Sequence, residues 1–128
     1  MTRTFAAFAV ALSLAVPSLA FAGDVTFVRG QFTDRVERGA PVGDAAAAQA
    51  ARPLVYWMEL RNAGAPAAVT LVWTVNGREV QRQSLDVGRG ARWRTWGFWP
   101  QRAGSRAVEV TVLDAAGATL HTERLGAQ

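Results

Sequence analysis

Two arginines and a tryptophan stand at alternate positions in the segment RWRTWGFWP (92–100), and they form the best candidate binding site of the sequence. In a regular strand, side chains two residues apart share a face, so Arg92, Arg94 and Trp96 lie together. Guanidinium groups bind carboxylates and phosphates, and an indole ring packs on sugar faces or apolar side chains. The three residues therefore predict a binding surface for an acidic or glycan ligand. A purely structural role is the alternative, because arginine stacked on tryptophan stabilises many surfaces by about 1 kcal/mol.

The other face of the same segment is predicted to belong to the core. Burying two arginines is costly, so the row of Trp93, Thr95, Gly97 and Trp99 should point inward. Gly97 also offers a place for a β-bulge, which would return Phe98 to the core.

Few other residues carry the chemistry of catalysis or metal binding. His121 is the only histidine, and functional histidines normally come with partners. Asp34, Glu37 and Asp44 could gather around calcium, but their spacing is unlike that of an EF-hand loop. The chain has no cysteine nucleophile, no nucleophile-elbow serine and no glycine-rich phosphate loop. We therefore predict no catalytic residues, no cofactor, no metal site and a protein that is not an enzyme.

Alternating apolar and polar residues dominate the chain, which indicates strands rather than helices. Asn76-Gly77 is a strong signal for a two-residue hairpin turn. The predicted strands lie at 24–32, 54–62, 69–77, 78–87, 92–100, 106–114 and 118–125. About seven short strands of this kind indicate an all-β fold, and specifically an antiparallel, immunoglobulin-like β-sandwich.

The predicted hairpin contains a conflict between register and burial. A two-residue turn sets Trp73 against Val80, which suits a core, but it also sets Leu71 against Arg82. We therefore predict that 78–87 is an edge strand, with arginine stems over apolar neighbours and their charged heads in water.

The connection at 33–53 is unusually long for a compact domain. Asp44 followed by alanines predicts a short capped helix, which Pro53 prevents from extending further. We predict that the connection folds over apolar side chains on the other face of the second and third strands, namely Val55, Trp57 and Val72.

The first 22 residues have the pattern of a secretory signal peptide. Arg3 provides the positive start, 5–16 form an apolar run, and Ala20-Phe21-Ala22 fits the cleavage site. The run is shorter than the ~20 residues that a spanning helix needs. We predict a cleaved leader at 1–22 and a single domain at 23–128, periplasmic or secreted and without a transmembrane span.

Composition limits the stabilising interactions and the partners. The 128-residue chain has no cysteine, so its apolar core must stabilise it without disulfides. All 14 basic residues are arginine, and removal of Arg3 leaves 13 against 10 acidic residues, a net charge of +3. That charge is too mild and too dispersed for a dedicated nucleic-acid binder.

Several segments together resemble domain-of-unknown-function family 2914, a set of bacterial domains often found in envelope proteins. The segments are FTDRVERGAP (32–41), VYWMELRNAGAPAAVTLVWTVNGREVQRQSLDVG (55–88), RWRTW (92–96) and VEVTVLDAAGATL (108–120). The resemblance implies a small β-rich domain with no established activity, and it supplies no catalytic residues. The chain departs from the family pattern at Leu71-Val72, where a histidine is typical, and at Gly97, where a serine is typical.

These observations predict an exported, non-catalytic module that binds an envelope protein or an acidic or glycan ligand through Arg92, Arg94 and Trp96. One alternative is a hydrolase that acts on envelope glycans or peptides through scattered carboxylates. Another is a structural accessory subunit whose exposed sheet edge pairs with a larger protein.

Overall fold

The computed structural model describes residues 24–102 and 107–126, so the predicted leader lies outside the described residues. These residues form, in chain order, β1 (Val25–Thr33), β2 (Val36–Glu37), β3 (Ala40–Pro41), α1 (Ala45–Ala50), β4 (Leu54–Asn62), β5 (Ala67–Val75), β6 (Arg78–Val87), β7 (Gly90–Trp99), β8 (Val108–Leu113) and β9 (Thr119–Arg124). The seven long strands correspond one to one to the predicted strands, with ends that differ by at most a few residues.

The long strands form two antiparallel sheets. One sheet has the order β1-β4-β7 and the other the order β6-β5-β8-β9, while β2 and β3 pair in a small hairpin of their own. Every strand pairing is antiparallel. The prediction of an all-β, antiparallel fold is confirmed.

One hydrophobic core takes side chains from both sheets. The inward row of β4 is fully buried, as its alternation predicts, and consists of Leu54, Tyr56, Met58 and Leu60. The other sheet contributes Val69, Leu71, Trp73, Val108, Val110 and Val112. Aromatic rings join the sheets: the ring centroid of Trp73 lies 6.3 Å from that of Phe32 and 6.2 Å from that of Trp99. In a chain without cysteine, this shared core holds the two sheets together.

The turn between β5 and β6 has the predicted form. Asn76 and Gly77 both have positive φ angles, 52° and 83°, which a type I′ hairpin turn requires. The strand that follows the turn lies at the edge of its sheet, also as predicted.

The predicted register holds next to this turn, where Val75 lies opposite Arg78, but it is wrong beyond Glu79. A bulge at Val80 shifts the partners of β5 by one residue, so that Gln83 rather than Arg82 lies opposite Leu71. The Gln83 side chain then accepts a hydrogen bond from the indole of Trp73 (3.0 Å). The bulge resolves the predicted conflict, because it turns Arg82 away from the core.

Helix α1 is short and fixed at both ends. Asp44 caps its start, since the carboxylate accepts a hydrogen bond from the amide of Ala47 (2.9 Å), as predicted. At the other end, the amide of Gln101 donates to the carbonyls of Ala48 (3.0 Å) and Ala51 (2.7 Å). The helix is thereby tied to the residues that follow β7.

The β2–β3 hairpin covers part of the outer face of the three-stranded sheet, at Trp57 of β4. The indole of Trp57 donates a hydrogen bond to the carbonyl of Gly39 in the hairpin turn (2.9 Å), and only 2% of Trp57 is exposed. The predicted covering is thus confirmed at Trp57, and Val55 is buried on the same face of β4. The prediction for Val72 is wrong, because β5 belongs to the other sheet and Val72 lies on its outer face, next to Arg82.

Candidate functional site

The outer face of β7 carries the three predicted site residues in one row. Arg92, Arg94 and Trp96 are exposed, with 39% of Trp96 open to solvent. Phe98 extends the row and is 52% exposed, because the pairing of β7 with β4 continues past Gly97 without a bulge. We call the row of Arg92, Arg94, Trp96 and Phe98 the β7 strip.

Trp93 departs from the prediction for the inner row. It was expected in the core, but 36% of it is exposed. Because β7 is an edge strand, the ring extends past the sheet onto Gly88, where a Cβ would come within 2.6 Å of a ring carbon. Its indole donates a hydrogen bond to the carbonyl of Asp86 (3.0 Å). Trp93 therefore closes the side of the fold between β7 and β6 instead of filling the centre.

A buried carboxylate on β4 gathers three arginines from the neighbouring strands. Glu59 lies between Arg29 of β1 and Arg94 of β7 in the sheet register, and only 4% of it is exposed. Arg29 donates a hydrogen bond to the Glu59 carboxylate (3.3 Å). Arg92 and Arg94 form looser ion pairs with it, at 3.6 and 3.7 Å. One negative charge thus faces three positive charges, and the cluster carries two positive charges in excess.

The surrounding arginines control the ionisation of Glu59. Burial by itself would raise the pKa of this carboxyl group. The hydrogen bond and charge of Arg29, together with the charges of Arg92 and Arg94, outweigh that effect, and the pKa of Glu59 lies below its ordinary value. The carboxylate is therefore ionised at neutral pH.

The lowered pKa of Glu59 predicts a loss of stability in acid. A glutamate in the unfolded chain has a pKa of about 4.3, and the folded value is lower, so the stabilisation is complete above that pH. It is lost as the pH falls through the folded pKa. Urea denaturation of the wild type and Glu59→Gln should show a stability difference at neutral pH that disappears in strong acid. A difference that is independent of pH would contradict this linkage.

The β2–β3 hairpin and Trp57 support the arginine cluster. The guanidinium carbon of Arg29 lies 5.2 Å from the ring centroid of Trp57, within the range of a cation–π interaction. Trp57 pairs across the strands with Trp96. Gly39 of the hairpin lies beside Arg94, since a Cβ there would be 3.8 Å from a terminal guanidinium nitrogen. The hairpin therefore borders the site.

Sequence reasoning missed Arg29 and Glu59 as members of the site. A signal was present, because Glu59 interrupts the segment LVYWMELRN (54–62), which is otherwise apolar on both faces up to that point. A carboxylate that is buried in such a strand needs a cationic partner. Its partners could not be identified, because they depend on which strands flank β4.

His121 lies on the other sheet, in a group of polar and aromatic side chains. Its ring stacks on Phe27 with centroids 3.9 Å apart, and its Nε2 is 3.1 Å from a carboxylate oxygen of Glu123. The same oxygen accepts a hydrogen bond from the hydroxyl of Tyr56 (2.7 Å). Burial, then the hydrogen bond to Glu123, raises the pKa of Tyr56 far above its ordinary value, so the hydroxyl remains a donor. The group ties β9 to β1 and β4.

The three loop carboxylates have separate roles. Asp34 and Glu37 each accept a hydrogen bond from Arg35, at 3.0 and 2.8 Å, whereas Asp44 caps α1. Among residues 24–102 and 107–126, no group of three or more histidine, cysteine or acidic side chains is placed to hold a metal ion. In the same two ranges, no helix has the length and apolar character to cross a membrane.

No protein-family model matches the chain, and no curated protein matches its sequence. The resemblance to domain-of-unknown-function family 2914 stays a prediction, carried by the four segments quoted above.

Proposed function

We propose that this protein is an exported, non-catalytic binding module of the bacterial envelope, and that it binds its ligand through the β7 strip. The observation that carries the proposal is the excess of positive charge around Glu59, which faces Arg29, Arg92 and Arg94. An acidic component of the envelope, whether a protein or an acidic glycan, supplies the opposite charge. The exposed ring of Trp96, next in the same row, adds an apolar contact surface.

The strand order supports an immunoglobulin-like sandwich as the framework of this module. In a constant-type immunoglobulin domain, strands one, two, five and four form one sheet, and strands three, six and seven form the other. Among the seven long strands here, the first, second and fifth are β1, β4 and β7, while the third, sixth and seventh are β5, β8 and β9. The fourth, β6, pairs with β5. In the proposed sandwich, the fourth strand therefore lies in the sheet of the third, sixth and seventh strands, whereas the constant type holds it in the other sheet.

Export to the periplasm or the medium is part of the proposal. It is supported by the leader pattern at 1–22 and by the segments that resemble an envelope-associated family. It fits a fold that is stabilised by a shared apolar core and contains no cysteine.

Reversal of the charges at Arg92 and Arg94 tests the binding surface. We expect the Arg92→Glu/Arg94→Glu variant of the full chain to lose co-purification of envelope components by about ten-fold or more, because like charges then face the ligand. The measurement is the yield of captured material from tagged wild type and variant, expressed at equal levels.

A second double variant provides the matched control. Arg78→Glu/Arg82→Glu makes the same change in net charge on β6 of the other sheet, where both side chains are exposed. It should capture as much as the wild type. Capture that survives reversal at Arg92 and Arg94, or that falls equally in both variants, would refute the β7 strip as the binding surface.

A further inference from the structure

We infer that the partner is a protein with an acidic surface, and that Glu59 sets its affinity by competing with the partner's carboxylates for Arg92 and Arg94. The inference rests on the proposed function. It adds the chemical class of the partner and a residue that controls how tightly the partner binds.

The shape of the β7 strip favours a protein partner over a small molecule. Small molecules bind in concave sites, but the strip lies along an edge strand, beside the β2–β3 hairpin, and its four side chains are exposed. Four shallow cavities elsewhere on the described surface are lined by other residues, including Glu123, Trp93, Arg61 and Asp114 in one cavity each. Tryptophan and arginine are also the residue types most enriched at the energetic centres of protein interfaces.

The order of residues along the strip defines what the partner must present. Side chains two residues apart on a strand are about 6.6–6.8 Å apart, so the row from Arg92 to Phe98 is about 20 Å long. Its first half is cationic and its second half is aromatic, with both aromatic side chains exposed. A complementary protein surface places carboxylates over Arg92 and Arg94, and apolar side chains over Trp96 and Phe98.

The distances around Glu59 indicate that a partner's carboxylates can compete with Glu59 for Arg92 and Arg94. Arg29 hydrogen-bonds Glu59, while Arg92 and Arg94 are 3.6 and 3.7 Å away. A guanidinium group has five N–H donors, so both arginines can receive a partner's carboxylates without breaking a hydrogen bond to Glu59. The negative charge of Glu59 nevertheless repels those carboxylates across a few ångströms. Removal of this charge should therefore strengthen binding.

Glu59→Gln removes the charge and keeps an oxygen that can accept the hydrogen bond from Arg29. With immobilised poly-L-glutamate as the probe, we expect the full-length variant to bind about five-fold more tightly than the wild type at low salt, the upper range for one exposed charge interaction. The gain should shrink as salt screens the charges. Addition of Arg92→Glu and Arg94→Glu to either background should abolish binding.

A folded Glu59→Gln chain that binds poly-L-glutamate equally or more weakly overturns the role of Glu59. If this variant does not fold, Glu59→Asp decides the question. It keeps the charge but withdraws the carboxylate by one methylene group from Arg92 and Arg94. A smaller gain in affinity for poly-L-glutamate supports the inference, and no gain in affinity overturns it.

Two further probes test the class of partner. Polygalacturonate presents carboxylates on a glycan, and polyphosphate presents phosphates. Tighter binding of either polymer than of poly-L-glutamate, at equal concentration of charge, overturns the protein partner while the binding module itself stands. Failure of the proposed function looks different, because the Arg92→Glu/Arg94→Glu chain would then bind every polyanion as the wild type does.

Discussion

Replacement of Trp73 by alanine is expected to lower the free energy of unfolding by about 3–5 kcal/mol, the usual cost of removing a large buried aromatic side chain. Trp73 is fully buried and contacts the rings of Phe32 and Trp99 from the other sheet. Its loss opens a cavity between the sheets. It also leaves the side chain of Gln83 without the indole donor that it has in the native state.

Trp96→Ala is the matched control for Trp73→Ala. Both changes remove an indole from a strand, but Trp96 lies on the outer face and is exposed. Its replacement should cost about 1 kcal/mol or less. Urea denaturation of the three full-length chains, followed by circular dichroism, gives both values. Similar losses for the two variants would mean that the sheets do not share the core described here.

Gly97→Ala is expected to destabilise the fold by about 1–3 kcal/mol, the range for an added methyl group in a packed interior. Gly97 is buried on the inner face of β7, between Trp96 and Phe98 in the chain. A Cβ at this position would meet the Gln83 side-chain oxygen at 2.5 Å and a methyl carbon of Leu71 at 2.8 Å. The same Gln83 oxygen accepts the indole hydrogen bond of Trp73, so the added methyl group also disturbs that contact.

Ala91→Val provides the comparison for Gly97→Ala. Ala91 is exposed at the start of the same strand, so larger side chains are accommodated there and stability should change by about 0.5 kcal/mol or less. Because the side chains of the strip point the other way, Gly97→Ala should bind poly-L-glutamate with unchanged affinity while it is folded. Wild-type stability of Gly97→Ala would contradict the close approach of β7 to β5 and β6.

The strands could be predicted from the sequence because alternation is a local property. The inward row from Leu54 to Leu60 is fully buried as its spacing indicates, and Asn76-Gly77 turns the chain as its residue types require. The bulge at Val80 could not be predicted. Both registers of β6 on β5 fit the same local pattern of apolar and polar residues. Only packing against the opposite sheet distinguishes the two registers.

The candidate site was predictable only in part, because it is assembled from three strands. Arg92, Arg94 and Trp96 share a face by their spacing alone. Glu59 and Arg29 join them only because β1 and β7 flank β4, and strand order is a tertiary property.

Two neighbouring tryptophans differ in exposure as the sequence predicts. Trp57 and Trp96 are opposite each other in the sheet, yet one is buried and the other exposed. The difference comes from the β2–β3 hairpin, whose Gly39 carbonyl binds the indole of Trp57. The sequence predicts that the connection at 33–53 covers Trp57, but not which of its residues makes the contact.

A nuclear magnetic resonance titration of the isotope-labelled chain with a glutamate oligomer tests the binding surface on β7 most directly. We expect the arginine side-chain signals of Arg29, Arg92 and Arg94 and the indole signal of Trp96 to shift together and saturate. Signals of Arg78 and Arg82 on the other sheet should stay in place. Shifts that are centred on Arg78 and Arg82, or that spread evenly over the exposed arginines without saturation, would contradict a binding surface on β7.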